Sequence, residues 1–158
     1  MPNLSEFQII LSEENLLAGD NASYVDLPLC VRLGERYFPD PDWTDMAYPI
    51  LCMWVEALHP LQLGTSTKCR LNFLDGPWWL EVTRTEDALQ IAGVSDRGIR
   101  KVEATACCQQ GHLFRELLKA ISKLDYISSR SGAVPSRLRE AVHNDVERCR
   151  ILFKSAEP

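Results

Sequence analysis

The stretch DWTDMAYPILCMWVEALHPLQL, residues 42–63, decides the fold class. Apolar side chains recur along it at steps of three and four residues, which places them on one face of an α-helix. The members of this face are Trp43, Met46, Ala47, Ile50, Leu51, Trp54, Leu58 and Leu61. Because two tryptophans on one face bury a large apolar area, we expect this helix to be central and packed against a sheet.

The start of this helix has two interpretations, because Pro49 lies inside the stretch. In the first, Asp42 is the N-cap, Asp45 lies in the first turn and Pro49 kinks the helix. In the second, Pro49 belongs to the first turn and residues 42–48 form a short separate turn. In both, Pro60 and Gly64 are expected to end the helix.

The segments before the helix predict two strands. Residues 6–11 alternate loosely, and residues 25–33 place five apolar side chains on one face. Pro28 cannot donate to a ladder, so the second strand is expected to be an edge strand or to carry a bulge. Residues 12–23 predict a loop, since Gly, Asp, Asn and Ser occur together there.

Beyond the helix, alternation predicts four strands joined by turns at residues 75–77 and 95–98. The four runs cover residues 65–75, 78–83, 88–94 and 99–106. An amphipathic helix is predicted over residues 111–127, and a last helix near Pro135. The predicted fold class is α+β, a largely antiparallel sheet of about six strands in the order β-β-α-β-β-β-β-α-α with helices packed on it, in a single domain of residues 1–158.

The formal net charge of −5 is unevenly distributed. Residues 1–56 carry ten acidic and two basic side chains, a balance of −8, whereas the remainder carries twelve acidic and fifteen basic ones, a balance of +3. An acidic surface argues against nucleic acid and favours a basic protein partner, although acidic residues that only aid solubility give the same pattern. The residues expected to bind a partner here are Glu35, Asp40, Asp42 and Asp45.

Trp78 and Trp79 are neighbours in a predicted strand, so they point to opposite faces of the sheet. One of them, taken here as Trp79, is expected either outside the core or under a terminal helix. An exposed tryptophan is of the kind that dominates protein interfaces. We therefore add Trp79 to the predicted partner-binding residues.

Catalytic, metal and cofactor motifs do not stand out. The six cysteines lie mostly in apolar runs without a CxxC pair, which indicates buried thiols. Cys107 and His112 are the nearest thiol and imidazole pair, but they lack the signature of a nucleophile with its base. His143 and Cys149, six residues apart, do not share a helix face, so no metal site is predicted.

The N-terminus lacks a signal peptide pattern, and we expect a cytoplasmic protein without a membrane anchor or cofactor.

Two motifs lie on either side of the predicted central helix. The first is F-P-D-x-x-W-x-D, which leads into an aromatic helix and is matched by Phe38, Pro39, Asp40, Trp43, Asp45 and, in the helix, Trp54. The second is F-x-D-G-P-aromatic, matched by Phe73, Asp75, Gly76, Pro77 and Trp78. Together they resemble the motifs of a widespread, functionally uncharacterised bacterial family of small α+β proteins. The resemblance spans about residues 25–127 and implies a fold but no catalytic residues, while Pro49 departs from the apolar run expected there. Fold and charge also resemble, more weakly, the immunity proteins of bacterial toxin systems.

The leading hypothesis is a non-enzymatic cytoplasmic binding protein, an immunity-type inhibitor of a bacterial toxin that acts through its acidic surface. One alternative is a homo-oligomeric structural or regulatory protein that assembles through a strand edge or Trp79. Another is a small-ligand or enzymatic domain with a pocket between the sheet and the central helix, near Cys107 and His112.

Overall fold

The structure is a computed structural model, and it describes residues 6–13, 17–18, 25–86, 88–130, 132 and 134–154. The elements in chain order are β1 (Phe7–Leu11), β2 (Leu17–Ala18), β3 (Val25–Leu33), β4 (Arg36–Phe38), β5 (Thr44–Met46), α1 (Ala47–Gln62), β6 (Lys68–Asn72), β7 (Trp78–Arg84), β8 (Leu89–Asp96), β9 (Arg100–Cys108), α2 (Gln110–Arg130) and α3 (Ser136–Lys154). The α+β class is confirmed, but the described residues form nine strands in two antiparallel sheets rather than one sheet of about six.

The first sheet is built around β3. Both β1 and β4 pair with Val31 of β3, so they lie on its opposite sides. Both β2 and β5 pair with Asp26, in the other half of the same strand, and they too lie on opposite sides. The strand β2 falls in the predicted loop, because a two-residue strand is too short for its alternation to be recognised.

The expectation that Pro28 makes β3 an edge strand is wrong, because neighbours flank β3 on both sides. The irregularity lies on the β1 side, where the pairing with β3 ends at Leu29, whereas Pro28 itself pairs with Thr44 of β5. The carbonyl of Pro28 accepts a hydrogen bond from the N–H of Ser12, just after β1 ends, and the N–H of Leu29 donates to the carbonyl of Trp43, just before β5. Since Pro28 has no N–H to return to Ser12, the ladder with β1 stops there.

The second sheet is the predicted meander, with strand order β6-β7-β8-β9. Its inner face packs against the first sheet and α1, and Gly93 of β8 allows the two sheets to approach. A Cβ atom on Gly93 would lie 2.8 Å from the ring of Phe38 in β4, so only glycine leaves room for that ring. The opposite face of this sheet is not covered by any described helix.

The helix α1 begins at Ala47, so Pro49 lies in its first turn as the second interpretation predicted, and Asp42 as N-cap is wrong. The separate turn predicted over residues 42–48 is also wrong, because Thr44–Met46 forms β5 and the next two residues belong to α1. The N-cap residue is Met46, which makes no capping hydrogen bond through its side chain, and Asp45 lies on β5 rather than in the helix. Pro49 is the third helical residue, where its missing N–H costs no helical hydrogen bond. Pro60 lies inside the last turn, and Gly64 follows the helix with a φ of +76°.

The helix α2 covers the outer edge of β1 through two side chains one turn apart. His112 donates from Nε2 to the carbonyl of Phe7 at 2.7 Å, and Glu116 accepts the N–H of Ile9 at 3.2 Å. Because a carbonyl only accepts, Nε2 of His112 carries the proton.

Phe114 of α2 stacks on Phe153 of α3, with ring centroids 5.0 Å apart. One hydrophobic core includes side chains from both sheets and all three helices.

Candidate functional site

Two loops that are far apart in sequence meet at one buried carboxylate. We call residues 39–46 and 73–78 the loop pair. Asp45 is only 4% exposed, and its Oδ1 accepts the N–H of Met46 at 2.8 Å. Its Oδ2 accepts the N–H groups of Leu74 and Asp75, each at 3.2 Å. It also accepts the indole N–H of Trp43 at 3.2 Å, so four donors compensate for the burial of the charge.

Aromatic rings hold the same two loops together beneath the carboxylate. The ring of Trp78 meets those of Phe38 and Trp43 edge to face, with centroids 5.9 and 6.0 Å apart. Gly76 adopts a φ of +77°, and a Cβ atom there would lie 2.7 Å from Nε1 of Trp78. The turn therefore requires glycine both for its backbone conformation and for the ring below it.

The outer surface of the loop pair combines carboxylates with apolar groups. Asp40, Asp42 and Asp75 are exposed, Leu74 is 39% exposed and Trp43 is half-buried. The first loop is ordered by its own hydrogen bonds, because the N–H of Asp42 donates to Oδ1 of Asp40 at 2.8 Å. Partly exposed apolar groups with charged residues around them are the arrangement found at protein interfaces.

The predicted acidic residues do not form one continuous surface. Asp40 and Asp42 share the exposed loop, but Glu35 lies in the turn between β3 and β4. The length of β4, about 10 Å, separates Glu35 from that loop. The expectation of an exposed Asp45 is wrong, because its carboxylate is buried and accepts hydrogen bonds from backbone N–H groups of the neighbouring turn.

Asp75 is the surface residue that the sequence analysis missed. Its turn was recognised, but nothing in the local sequence places that turn beside residues 39–46. The available signal was the joint occurrence of the two motifs, whose residues make these contacts with each other.

Trp79 lies on the outer face of the second sheet, as alternation predicted, yet it is only 6% exposed. The guanidinium of Arg70 lies 3.8 Å from the centroid of its ring, and its indole N–H donates to Glu81 at 3.2 Å. The expectation of an exposed aromatic residue is therefore wrong, because the side chain of Arg70 on the adjacent strand β6 packs on the ring.

Cys107 lines a shallow groove of about 410 Å³ on this outer face, together with Glu81, Thr83, Gln90 and Thr105. The groove lies on the side of the sheet opposite to the core, not between the sheet and α1 as expected. His112 does not line it, since its Nε2 is bonded to the carbonyl of Phe7. The structure thus does not join this thiol and imidazole in one described cavity.

The six cysteines all lie in the described residues and form no disulfide there. The prediction of buried thiols is confirmed for Cys30, Cys108 and Cys149, whereas Cys52, Cys69 and Cys107 are only half-buried. Burial is the main cause that raises the pKa of Cys30 and Cys69 to about 11 and that of Cys52 and Cys108 to about 12. Within the described parts of the chain, no three His, Cys, Asp or Glu side chains lie close enough to hold a metal ion. None of the described helices has the length and apolar character needed to span a membrane.

The chain matches no protein-family model, and comparisons with curated proteins and with solved structures find no match. The family resemblance drawn from the two motifs accordingly stays a prediction.

Proposed function

We propose that this protein is a non-enzymatic cytoplasmic binding protein of the immunity type, which inhibits a basic protein such as a bacterial toxin by docking it on the loop pair. The observation that carries the proposal is the buried carboxylate of Asp45, which fixes two acidic loops side by side. Asp40, Asp42 and Asp75 then surround an apolar centre formed by Leu74 and Trp43.

The order of these loops favours binding. A flexible loop loses conformational entropy when it binds, whereas a loop already held by hydrogen bonds and ring contacts loses little. The loop pair is held by Asp45, by the side chain of Asp40 and by the rings of Trp43 and Trp78. Its carboxylates are therefore presented in a fixed arrangement before any partner arrives.

The charge of the loop pair determines how binding responds to salt. Carboxylates around an interface speed association with a basic partner, and this attraction is screened as salt is added. One basic group, Arg97, lies at the edge of this surface with its guanidinium 4.8 Å from the ring of Trp78. We expect tight association at low ionic strength and a steep loss at high ionic strength.

The test compares three forms of the protein in pull-downs from a lysate of the source cell. The loop variant carries Asp40→Asn, Asp42→Lys and Asp75→Lys, where Asn keeps the oxygen that accepts the N–H of Asp42. The matched control carries Glu13→Gln, Glu86→Lys and Glu140→Lys, which change the net charge equally at exposed positions elsewhere.

We expect the intact protein and the control to retain the same basic protein at low salt, and the loop variant to lose it. The purified partner should lose its own activity when one equivalent of the intact protein is added. Equal capture by all three forms, or capture that persists at about 1 M salt, where charges are screened within a few ångströms, would contradict the proposal.

A further inference from the structure

A second surface of opposite charge lies between α2 and α3, on the side of the two helices that faces away from the core. It is a groove of about 840 Å³, within the size range of binding clefts. Residues from both helices line it, namely Leu118, Lys119, Ser122 and Lys123 of α2 and Arg150 and Ile151 of α3.

The small side chain of Ser122 lies between the larger side chains of α2 and α3 that line the groove. Phe114 and Phe153 stack below it and hold the two helices together on the core side. On the outer side, Ser122 leaves space, and the guanidinium of Arg150 crosses to its hydroxyl at 3.2 Å. Both residues line the groove.

The groove combines an apolar centre with basic edges. Ile151 is 72% exposed, and Leu118 is half-buried beside it. Lys119 and Lys123 are exposed on one edge, and Lys119 also contacts Oε1 of Glu116 at 3.2 Å. Among the described lining residues Glu147 is the one acid, and it is already paired with Arg150. An exposed isoleucine in a cleft is the kind of apolar surface that a partner covers.

Charge and shape together identify the occupant. A second copy of this chain, packed groove to groove, would place lysines against lysines, which is unfavourable. A membrane surface is flat and suits a protruding apolar face, not a concave one. An amphipathic helix fits a groove between two helices through apolar side chains spaced three and four residues apart. We propose that the groove binds an amphipathic helix of a partner protein whose polar flanks are acidic.

The experiment measures fluorescence anisotropy of two labelled helical peptides added to the full chain, both intact and as the loop variant. The difference between these two forms measures any binding of the basic peptide at the acidic loop pair, and the remainder is binding at the groove. The acidic probe is LEELLEELLEELLE, and the basic control probe is LKKLLKKLLKKLLK. The protein variants are Ile151→Asp and the double variant Lys119→Glu with Lys123→Glu. The matched controls are Ile99→Asp and Lys68→Glu with Lys101→Glu, all at exposed positions outside the groove.

We expect the acidic probe to bind with micromolar affinity and the basic probe to bind at least tenfold more weakly. Ile151→Asp should weaken the acidic probe by about tenfold or more, because the transfer of one large aliphatic side chain from water is lost. The lysine double variant should reverse the preference between the probes, and both control variants should behave as the intact protein does.

Three results would overturn the proposal. The first is the absence of acidic-probe binding, or equal binding of both probes. The second is a concentration-dependent dimer that Ile151→Asp abolishes, which would assign the groove to a second copy. The third is binding to vesicles of anionic phospholipid that is lost in Ile151→Asp while the acidic probe does not compete, which would assign it to a membrane.

Discussion

The carboxylate of Asp45 lies 3.2 Å from the backbone nitrogen of Asp75 and accepts its N–H. The two residues lie at different sheets, since Asp45 is on β5 of the first sheet and Asp75 lies in the loop between β6 and β7 of the second. The buried carboxylate of Asp45 holds the backbone of Asp75 in place, so the exposed side chain of Asp75 projects from a fixed position. The residue with the greatest structural effect on the acidic surface is thus one that is hardly exposed itself.

Replacement of Asp45 by Asn should destabilise the protein strongly. The amide keeps one acceptor oxygen but places an NH2 group among four N–H donors, which leaves buried donors without partners. We expect a loss of about 2–4 kcal/mol in the free energy of unfolding, measured by urea denaturation. The control Asp42→Asn, at an exposed position, should change it by less than about 0.5 kcal/mol. Equal effects of the two substitutions would mean that Asp45 does not join the loops.

Gly76→Ala should disturb the turn more than Gly98→Ala does. Both glycines have a positive φ, of +77° and +94°, so both substitutions strain the backbone. Only at position 76 does the added Cβ also meet the ring of Trp78, since nothing lies within 4 Å of a Cβ at position 98. We expect about 1 kcal/mol of destabilisation at position 98 and about 2–4 kcal/mol at position 76. Thermal unfolding and the near-ultraviolet circular dichroism of the tryptophans provide the measurement, and identical behaviour of the two variants would contradict the packing described.

Glu116→Ala should expose the edge of β1. The substitution removes the acceptor of the N–H of Ile9 and leaves that donor partly buried. We expect exchange of the Ile9 amide hydrogen to accelerate by about tenfold or more and stability to fall by about 1–3 kcal/mol. Lys119→Ala is the control, because Lys119 contacts Glu116 from the exposed side. If the Ile9 amide exchanges at an unchanged rate, α2 does not protect this edge through Glu116.

Stability should fall above about pH 8.5, the ordinary pKa of an exposed thiol. Burial raises the pKa of Cys52 and Cys108 to about 12, and burial with the hydrogen bond to Asp145 raises that of Tyr48. A raised pKa in the folded state means that the unfolded state releases protons first. The stability that these neutral groups contribute is therefore fully present below the pKa of the unfolded state. It is lost as the pH rises towards the pKa of the folded state.

The measurement is the urea midpoint between pH 7 and pH 11. The double variant Cys52→Ala with Cys108→Ala should show a shallower decline than the intact protein, since two of the titrating groups are absent. A midpoint that is constant up to pH 11 would show that these thiols are not protected by burial.

The sequence predicted the elements whose signals are local. The apolar face of α1, the four strands of the meander and the amphipathic faces of α2 and α3 follow from periodicities within each segment. The glycines at positions 76 and 98 marked their turns because a positive φ is a property of the turn itself.

Tertiary structure decided the neighbours of each element and the exposure of each charged group. Pro28 is tolerated in a central strand because the ladder with β1 ends beside it, where its missing N–H is not required, although it still pairs with Thr44 of β5. Trp79 is covered because Arg70 of the adjacent strand packs on its ring. Asp40, Asp42 and Asp45 are alike in sequence. Asp45 is buried because the turn some thirty residues later supplies N–H groups to its carboxylate. Asp40 and Asp42 remain exposed to solvent. A carboxylate is buried where donors converge on it, and that convergence depends on contacts between distant segments, which no local pattern records.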